Sequence, residues 1–181
     1  MIVCRPARLA DTRAISEVYI DTWRSTYAGT LPDHVLVGMQ ADRLSGSFAR
    51  ALEHRTEIIM VADHPEHGII AMGSAGRNRG NNATYSGEVY TLYVHHDFQN
   101  EGMGETLMAH LFRALAEAGH KSALIWVLAP NPSRFFYERM GGQRAEERRE
   151  TLWGTTLREW AYGWTDLKQT IHHKRPRLYH T

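Results

Sequence analysis

Gln99, Gly102 and Gly104 mark where a segment rich in Val, Tyr and Thr, Glu88–His95, gives way to a strongly periodic apolar one, Gly102–Ala118. A strand that runs through such a loop into a helix sets successive backbone N–H groups at a helix N-terminus. Those groups have no partner inside the helix, and with the helix dipole they make an anion site. Glycine removes the Cβ, so the backbone can approach a pyrophosphate closely. The same spacing also suits a plain strand-to-helix turn, and glycines alone do not choose between the two. No Gly-Lys-Ser/Thr follows, which excludes the nucleotide P-loop. The third glycine of the dinucleotide fingerprint is also absent.

A second group is aromatic. Ile15, Tyr19, Trp23 and Tyr27 recur at steps of four ahead of Gly29 and Pro32. They share one face of a predicted helix, as a core stripe or as a wall whose ring faces can hold a cation. Tyr85 and Tyr90 are further candidates of the same kind. The eleven histidines do not read as a metal site. His64 and His67 fall in a predicted turn whose spacing does not aim both rings together. His95 and His96 are adjacent and point to opposite faces of an extended strand. His172 and His173 are close to the end of the chain. None has structural-zinc spacing, so no metal is expected.

These residues need elements to position them. A short strand, Ile2–Arg5, ends at Pro6, and Asp11 is a predicted N-cap for the aromatic helix. Leu36 to about His54 reads as one or two helices interrupted near Ser45-Gly46-Ser47. Glu57–Ala62 and Ile69–Ala75 form a hairpin turned by Asp63–Gly68. A polar loop, Asn78–Gly87, leads to the strand Glu88–His95. In Gly102–Ala118 the stripe is Leu107, Met108, Leu111, Phe112 and Leu115, closed by Gly119. A strand, Lys121–Leu128, precedes a short helix, Pro132–Met140, ended by Gly141-Gly142. Gln143–Glu150 and Leu157–Leu167 are the last strands, joined near Gly154, and the Arg/Glu run Arg144–Glu150 reads as a solvated face. This order predicts an α/β protein with a mixed sheet.

The 181 residues suit one domain, with 43% apolar and 23% charged residues. The net charge of +1 gives no argument for a nucleic-acid or membrane partner. No run reaches the roughly 18–20 apolar residues of a membrane span. The one cysteine, Cys4, reads as a core residue, and its solitude suits a reducing compartment. The first apolar stretch is too short for a signal peptide, so a cytoplasmic location is expected.

Leu92-Tyr93-Val94 followed by Gln99-Asn100-Glu101-Gly102-Met103-Gly104, and Asn131 followed by Phe136-Tyr137 and Gly141-Gly142, resemble the two motifs of the Gcn5-related N-acetyltransferase (GNAT) family. The opening Arg5-Pro6-Ala7 resembles the family's start. The resemblance spans about Ile2 to Leu167, with one departure: Gly142 stands where Phe is usual. It implies a three-layer fold with a central mixed, mostly antiparallel sheet flanked by helices. It divides the chain into an acetyltransferase domain, residues 1–170, and a basic tail, residues 171–181. The implied reaction is transfer of an acetyl group from acetyl-CoA, as co-substrate, to an amine of a small molecule by direct attack in a ternary complex. The alternatives are a protein or peptide acetyltransferase, and an acyl-CoA-binding sensor without catalysis. Family members are often dimers, so a homodimer is open.

The resemblance also implies roles. The strand at Leu92, Tyr93 and Val94 would bind the pantetheine arm, with Asn131. The loop Gln99, Asn100, Glu101, Gly102, Met103 and Gly104, with Glu105 and Thr106, would bind the pyrophosphate. Tyr137 would protonate the leaving thiolate; a tyrosine with a pKa of about 10 carries that proton at neutral pH. Glu88, where relatives often carry a glutamate, would take the proton of an amine whose own pKa is about 10.4, or orient it. Trp23 and Tyr27 would lie beside the acceptor.

Overall fold

A computed structural model of the chain describes residues 1–173. Its strands are β1 (Val3–Pro6), β2 (Ile58–His64), β3 (Gly68–Arg77), β4 (Gly87–Val94), β5 (Ala123–Leu128), β6 (Gln143–Leu152) and β7 (Thr155–Trp164). Its helices are α1 (Thr12–Tyr27), α2 (Asp33–Val37), α3 (Ala41–His54), α4 (Met103–Glu117), α5 (Ser133–Arg139) and α6 (Leu167–His173). One seven-stranded sheet runs β1-β2-β3-β4-β5-β7-β6. Every neighbouring pair is antiparallel except β4 and β5. The predicted mixed, mostly antiparallel sheet flanked by helices is the one formed.

Alternation along the strands divides the core between the two faces. Ile59, Val61 and Met72 pack with Ile15, Val18 and Phe48 of α1 and α3. Met60, Ala62 and Val89 pack on the other face with the α4 stripe, in which Leu107, Met108, Leu111, Phe112 and Leu115 are all at most 1% exposed. Each such side chain contributes roughly 1.5–3 kcal/mol by leaving water. The close approach of α4 depends on Gly73: a Cβ there would stand 2.6 Å from Leu111 Cδ1.

Three local expectations are corrected. Helix α3 runs unbroken through Ser45-Gly46-Ser47, and the interruption falls at 38–40 instead. Gly46 costs about 1 kcal/mol of helix propensity, outweighed by Leu44, Phe48, Ala51 and Leu52 packing on one side of α3. Asp11 does precede α1, but its side chain does not cap that helix. It accepts the Arg8 N–H at 2.7 Å and pairs with Arg5 Nη1 at 2.7 Å. The last strand stops at Trp164, and Leu167, fully buried, opens α6. That helix crosses the expected domain boundary at residue 170, and Ile171 packs against the core. The remainder of the expected tail, 174–181, lies outside the described residues. Among the described residues, 1–173, no helix is long and apolar enough to cross a membrane.

Candidate active site

Strands β4 and β5 are registered only over Gly87–Val89 and Ala123–Ile125. β4 continues to Val94 and β5 to Leu128 without pairing each other, so the sheet opens at its centre. β4 keeps its antiparallel pairing to β3, with a bulge: Ser74 faces Thr91 and Ala75 faces Val89, leaving Tyr90 as the extra residue. A bulge re-aims side chains. Here Glu88, Tyr90, Thr91 and Tyr93 all line one cavity, while Val89, Leu92 and Val94 pack toward α4.

At the far end of β4 the glycine loop enters α4. Asn100 and Gly102 adopt left-handed backbone, φ +64° and +86°. The first backbone bond of the helix runs from the Thr106 N–H to the Gly102 carbonyl at 3.1 Å. The N–H groups of Met103 and Gly104 therefore have no helical acceptor behind them. A Cβ at Gly104 would touch Phe136 of α5 at 3.5 Å and Val94 at 3.9 Å, so this glycine also lets α4 close on both. Gln99 Nε2 donates to the Val94 carbonyl at 2.9 Å, tying the loop to the strand. The end of β4, the loop and the first turn of α4 are thus joined, while the Tyr93 side chain turns to the cavity.

Asn131 follows β5. Its Oδ1 accepts the Ser133 N–H at 2.9 Å, and its Nδ2 donates to the Tyr27 hydroxyl at 3.0 Å. Tyr137, on α5, is 5% exposed and does not line the cavity. Its ring lies 5.5 Å from Phe136 and 6.2 Å from Tyr162. Burial pushes its phenol well above the ordinary value, and the Tyr27 charge adds to this. The phenol stays protonated through the neutral range.

The cavity, of about 340 Å³, lies on the α1 side of the opening. Trp23 and Tyr27 line it, their rings 4.8 Å apart, and Trp23 Nε1 donates to the Tyr93 hydroxyl at 3.0 Å. Tyr27 is also part of a small core with Leu31, Leu36 and Leu128, so core stripe and cavity wall are one surface. Tyr90 lines the cavity, whereas Tyr85 is buried against Gly163. Glu88 is 4% exposed and held by Arg79 through both oxygens: backbone N–H to Oε2 at 2.9 Å, Nη2 to Oε1 at 3.0 Å. The Arg79 guanidinium lies 3.9 Å from the Tyr90 ring centroid.

Comparison with known proteins agrees with this architecture. Residues 79–153 match the family model described as FR47-like protein. The chain is 30% identical over 168 residues to the uncharacterized N-acetyltransferase YuaI of Bacillus subtilis (strain 168), covering 92% of this chain and 95% of the relative. The chain belongs to the Gcn5-related N-acetyltransferase family. Its fold matches an N-acetyltransferase from Staphylococcus aureus Mu50 with a TM-score of 0.72 at 17% identity, covering 92% of this chain and 99% of that one. It also matches yncA from Salmonella typhimurium, solved with acetyl-CoA, with a TM-score of 0.68 at 19% identity, covering 92% and 94%.

Other residues of this acetyltransferase reach the cavity that the sequence did not mark as site residues: Glu57, Arg79, Trp126, Arg148 and Glu159. Arg148 comes from the Arg/Glu run read as solvated. Edge strand β6 is indeed mostly exposed, but Arg148 Nε donates to Glu159 at 2.5 Å and its guanidinium lies 4.0 Å from the Trp126 ring. Burial raises the Glu159 carboxyl, against the pull of Arg148. Cross-strand pairing of β6 with β7 joins Arg148 to Glu159, a register that spacing alone does not reveal.

The histidine geometry also differs from expectation. His64 and His67 rings lie 4.6 Å apart, because the tight turn lets His64 Nδ1 accept the Glu66 and His67 N–H groups. β4 ends at Val94, so His95 and His96 enter a 3-10 turn, with rings 4.3 Å apart rather than on opposite faces. Their ligand atoms and that of Asp97 fall within 4.8 Å of one another at the surface.

Proposed function

We propose that this acetyltransferase passes the acetyl group of acetyl-CoA to a primary amine of a small molecule, by direct attack with both substrates bound. The observation that carries this reading is the opening between β4 and β5. One end of it meets the left-handed loop and the start of α4, and one face meets an aromatic, carboxylate-bearing cavity.

The donor-side residues fit a pantetheine–pyrophosphate chain. Unpaired strand edge along Leu92 to Val94 offers strand-like backbone groups. The Met103 and Gly104 N–H groups, with the loop Gln99–Gly102 and the first-turn residues Glu105 and Thr106, offer an anion cradle. Asn131 stands at the end of β5, its amide already oriented by Tyr27 and Ser133. Bound acetyl-CoA supplies an activated thioester. The chain's own groups then do the rest. Trp23 and Tyr27 wall the acceptor. Glu88 holds or takes the ammonium proton once the acceptor competes with Arg79 for it. Tyr137 keeps a phenol proton available to the leaving sulfur.

Cys4 supports transfer without an acyl-enzyme. It packs against the α4 core and donates weakly to Met103 Sδ at 4.0 Å. Burial pushes its thiol up to about 11, far from a thiolate at neutral pH.

The test is a mass-shift screen of amines, polyamines, amino acids and peptides with acetyl-CoA and the full chain. A gain of one acetyl group on a small amine is expected. Selective acetylation of peptides, or coenzyme binding without turnover of any acceptor, would replace this reading with one of the alternatives. Initial rates with both substrates varied should give intersecting rather than parallel reciprocal plots.

A further inference from the structure

The cavity walls are charged in an uneven way. Three carboxylates line it, Glu57, Glu88 and Glu159, against two guanidiniums, Arg79 and Arg148. Both cations are engaged. Arg79 grips Glu88 through backbone and side chain. Arg148 donates to Glu159 at 2.5 Å and reaches Glu150 at 3.4 Å. Glu57 is left over. It is half-buried, none of the described residues hydrogen-bonds to its carboxylate, and it feels Arg79 only through space. One guanidinium cannot neutralise two carboxylates, so the lining is short of one positive charge.

The other walls are rings. Tyr19, Trp23, Tyr27, Tyr90, Tyr93 and Trp126 surround the space, and Arg79 and Arg148 cap the Tyr90 and Trp126 faces. Ring walls interspersed with hydroxyls, with a single unmatched carboxylate, suit a flat aromatic body carrying one cation. A ligand carboxylate would meet two guanidiniums already neutralised and an excess of negative charge. A volume of about 340 Å³ is at the small end of ligand sites, which run from about 300 to 1,000 Å³.

We infer that the acceptor is a monocationic primary amine with an aromatic-sized apolar body and no carboxylate, and that Glu57 supplies the counter-charge that holds it. This rests on the reading of the cavity as the acceptor site. Its ammonium, seated against Glu57, would restore the balance that burial now disturbs: the Glu57 carboxyl is raised by desolvation. Glu57 is here a specificity residue that counter-charges the incoming ammonium; the same nitrogen must then pass its proton to Glu88 before it attacks.

The experiment compares 2-phenylethylamine, phenylalanine, spermidine and a lysine-containing peptide as acceptors of the full chain, with saturating acetyl-CoA. Phenylethylamine should exceed phenylalanine in kcat/KM by about 100-fold, the cost of an unmatched buried charge. Glu57→Gln should raise KM for phenylethylamine by about tenfold or more, with KM for acetyl-CoA unchanged. Glu57→Asp should recover part of the loss, which also shows that the position tolerates substitution. Added salt should erode the wild-type advantage and leave Glu57→Gln flat. Faster acetylation of phenylalanine, spermidine or the peptide overturns the acceptor class while leaving acetyl transfer to amines intact. An unchanged amine KM in folded Glu57→Gln overturns the role of Glu57. Failure to bind acetyl-CoA, measured separately by calorimetry, removes the parent reading and this one with it.

Discussion

Arg79 holds both carboxylate oxygens of Glu88, at 2.9 and 3.0 Å, on the wall of the cavity where an amine would arrive. Glu88 can serve an acceptor only by exchanging one partner for another. Glu88→Gln keeps an oxygen for the Arg79 N–H and loses basicity. It should lower kcat/KM most at neutral pH, and the gap should narrow as pH approaches the amine pKa of about 10.4. If Glu88 only holds the ammonium, the loss appears in KM for the amine and weakens with salt. Superimposed pH–rate profiles of variant and wild type would remove Glu88 from both roles.

Tyr137→Phe should keep the packing against Phe136 and Tyr162 and lower kcat by about 100-fold, with acetyl-CoA affinity little changed. The direction of the Tyr137 shift sets the pH window. A phenol raised above about 10 stays protonated, so the wild-type profile should have no falling limb from Tyr137 below pH 10. A variant with undiminished single-turnover rate would disprove the acid role.

The loop residue most constrained by conformation is Gly102, at φ +86° with open space around its missing Cβ. Gly102→Val forces a branched side chain into left-handed backbone, at a cost of roughly 1–2 kcal/mol. Calorimetric titration should show weaker acetyl-CoA binding with a Tm only modestly lowered. Unaltered affinity in a folded variant means the loop does not bind the pyrophosphate.

Gly142 replaces the family's usual Phe, and the structure gives the compensation. A Cβ at 142 would stand 2.7 Å from the Trp164 ring and 2.9 Å from the Tyr137 carbonyl. Trp164 fills that space and donates Nε1 to the Met140 carbonyl at 3.0 Å. Gly142→Ala should cost about 1–3 kcal/mol through overpacking, read as a lower urea midpoint. In the background of Trp164→Phe the penalty should shrink. An additive double mutant contradicts the contact.

Asp11 provides a pH test of stability. Its carboxyl is lowered, first by the hydrogen bond from Arg5 and then, against the opposing effect of burial, by the Arg8 N–H. A depressed folded pKa gives stability that is fully present above about pH 4 and is lost as pH falls through the folded value. Asp11→Asn should therefore be less stable than wild type at pH 7. The two should converge below pH 4. A constant difference across that range would mean that Asp11 acts by packing rather than by charge.

The strand, the glycine loop and α4 were legible in the sequence because each depends on neighbours. The Val, Tyr and Thr content of Glu88–Val94, the glycines at 102 and 104 and the 3.6-residue stripe from Leu107 to Leu115 are local signals. Leu167 misled for the same local reason: an apolar residue after Trp164 extends a strand pattern, while only its burial under the sheet reveals a new helix. The family motifs likewise lie in short continuous segments. The cavity did not. Glu57 stands just before β2 and Glu159 on β7, and Arg148 arrives across a strand register; nothing near them in sequence marks them. The Tyr90 bulge, which turns four residues of β4 to one side, is a mismatch of length between two strands and has no residue-type signature. Pairing partners, register and the parting of β4 from β5 are long-range properties. They decide which carboxylates share a space, which of them is paired, and so what charge an acceptor must bring.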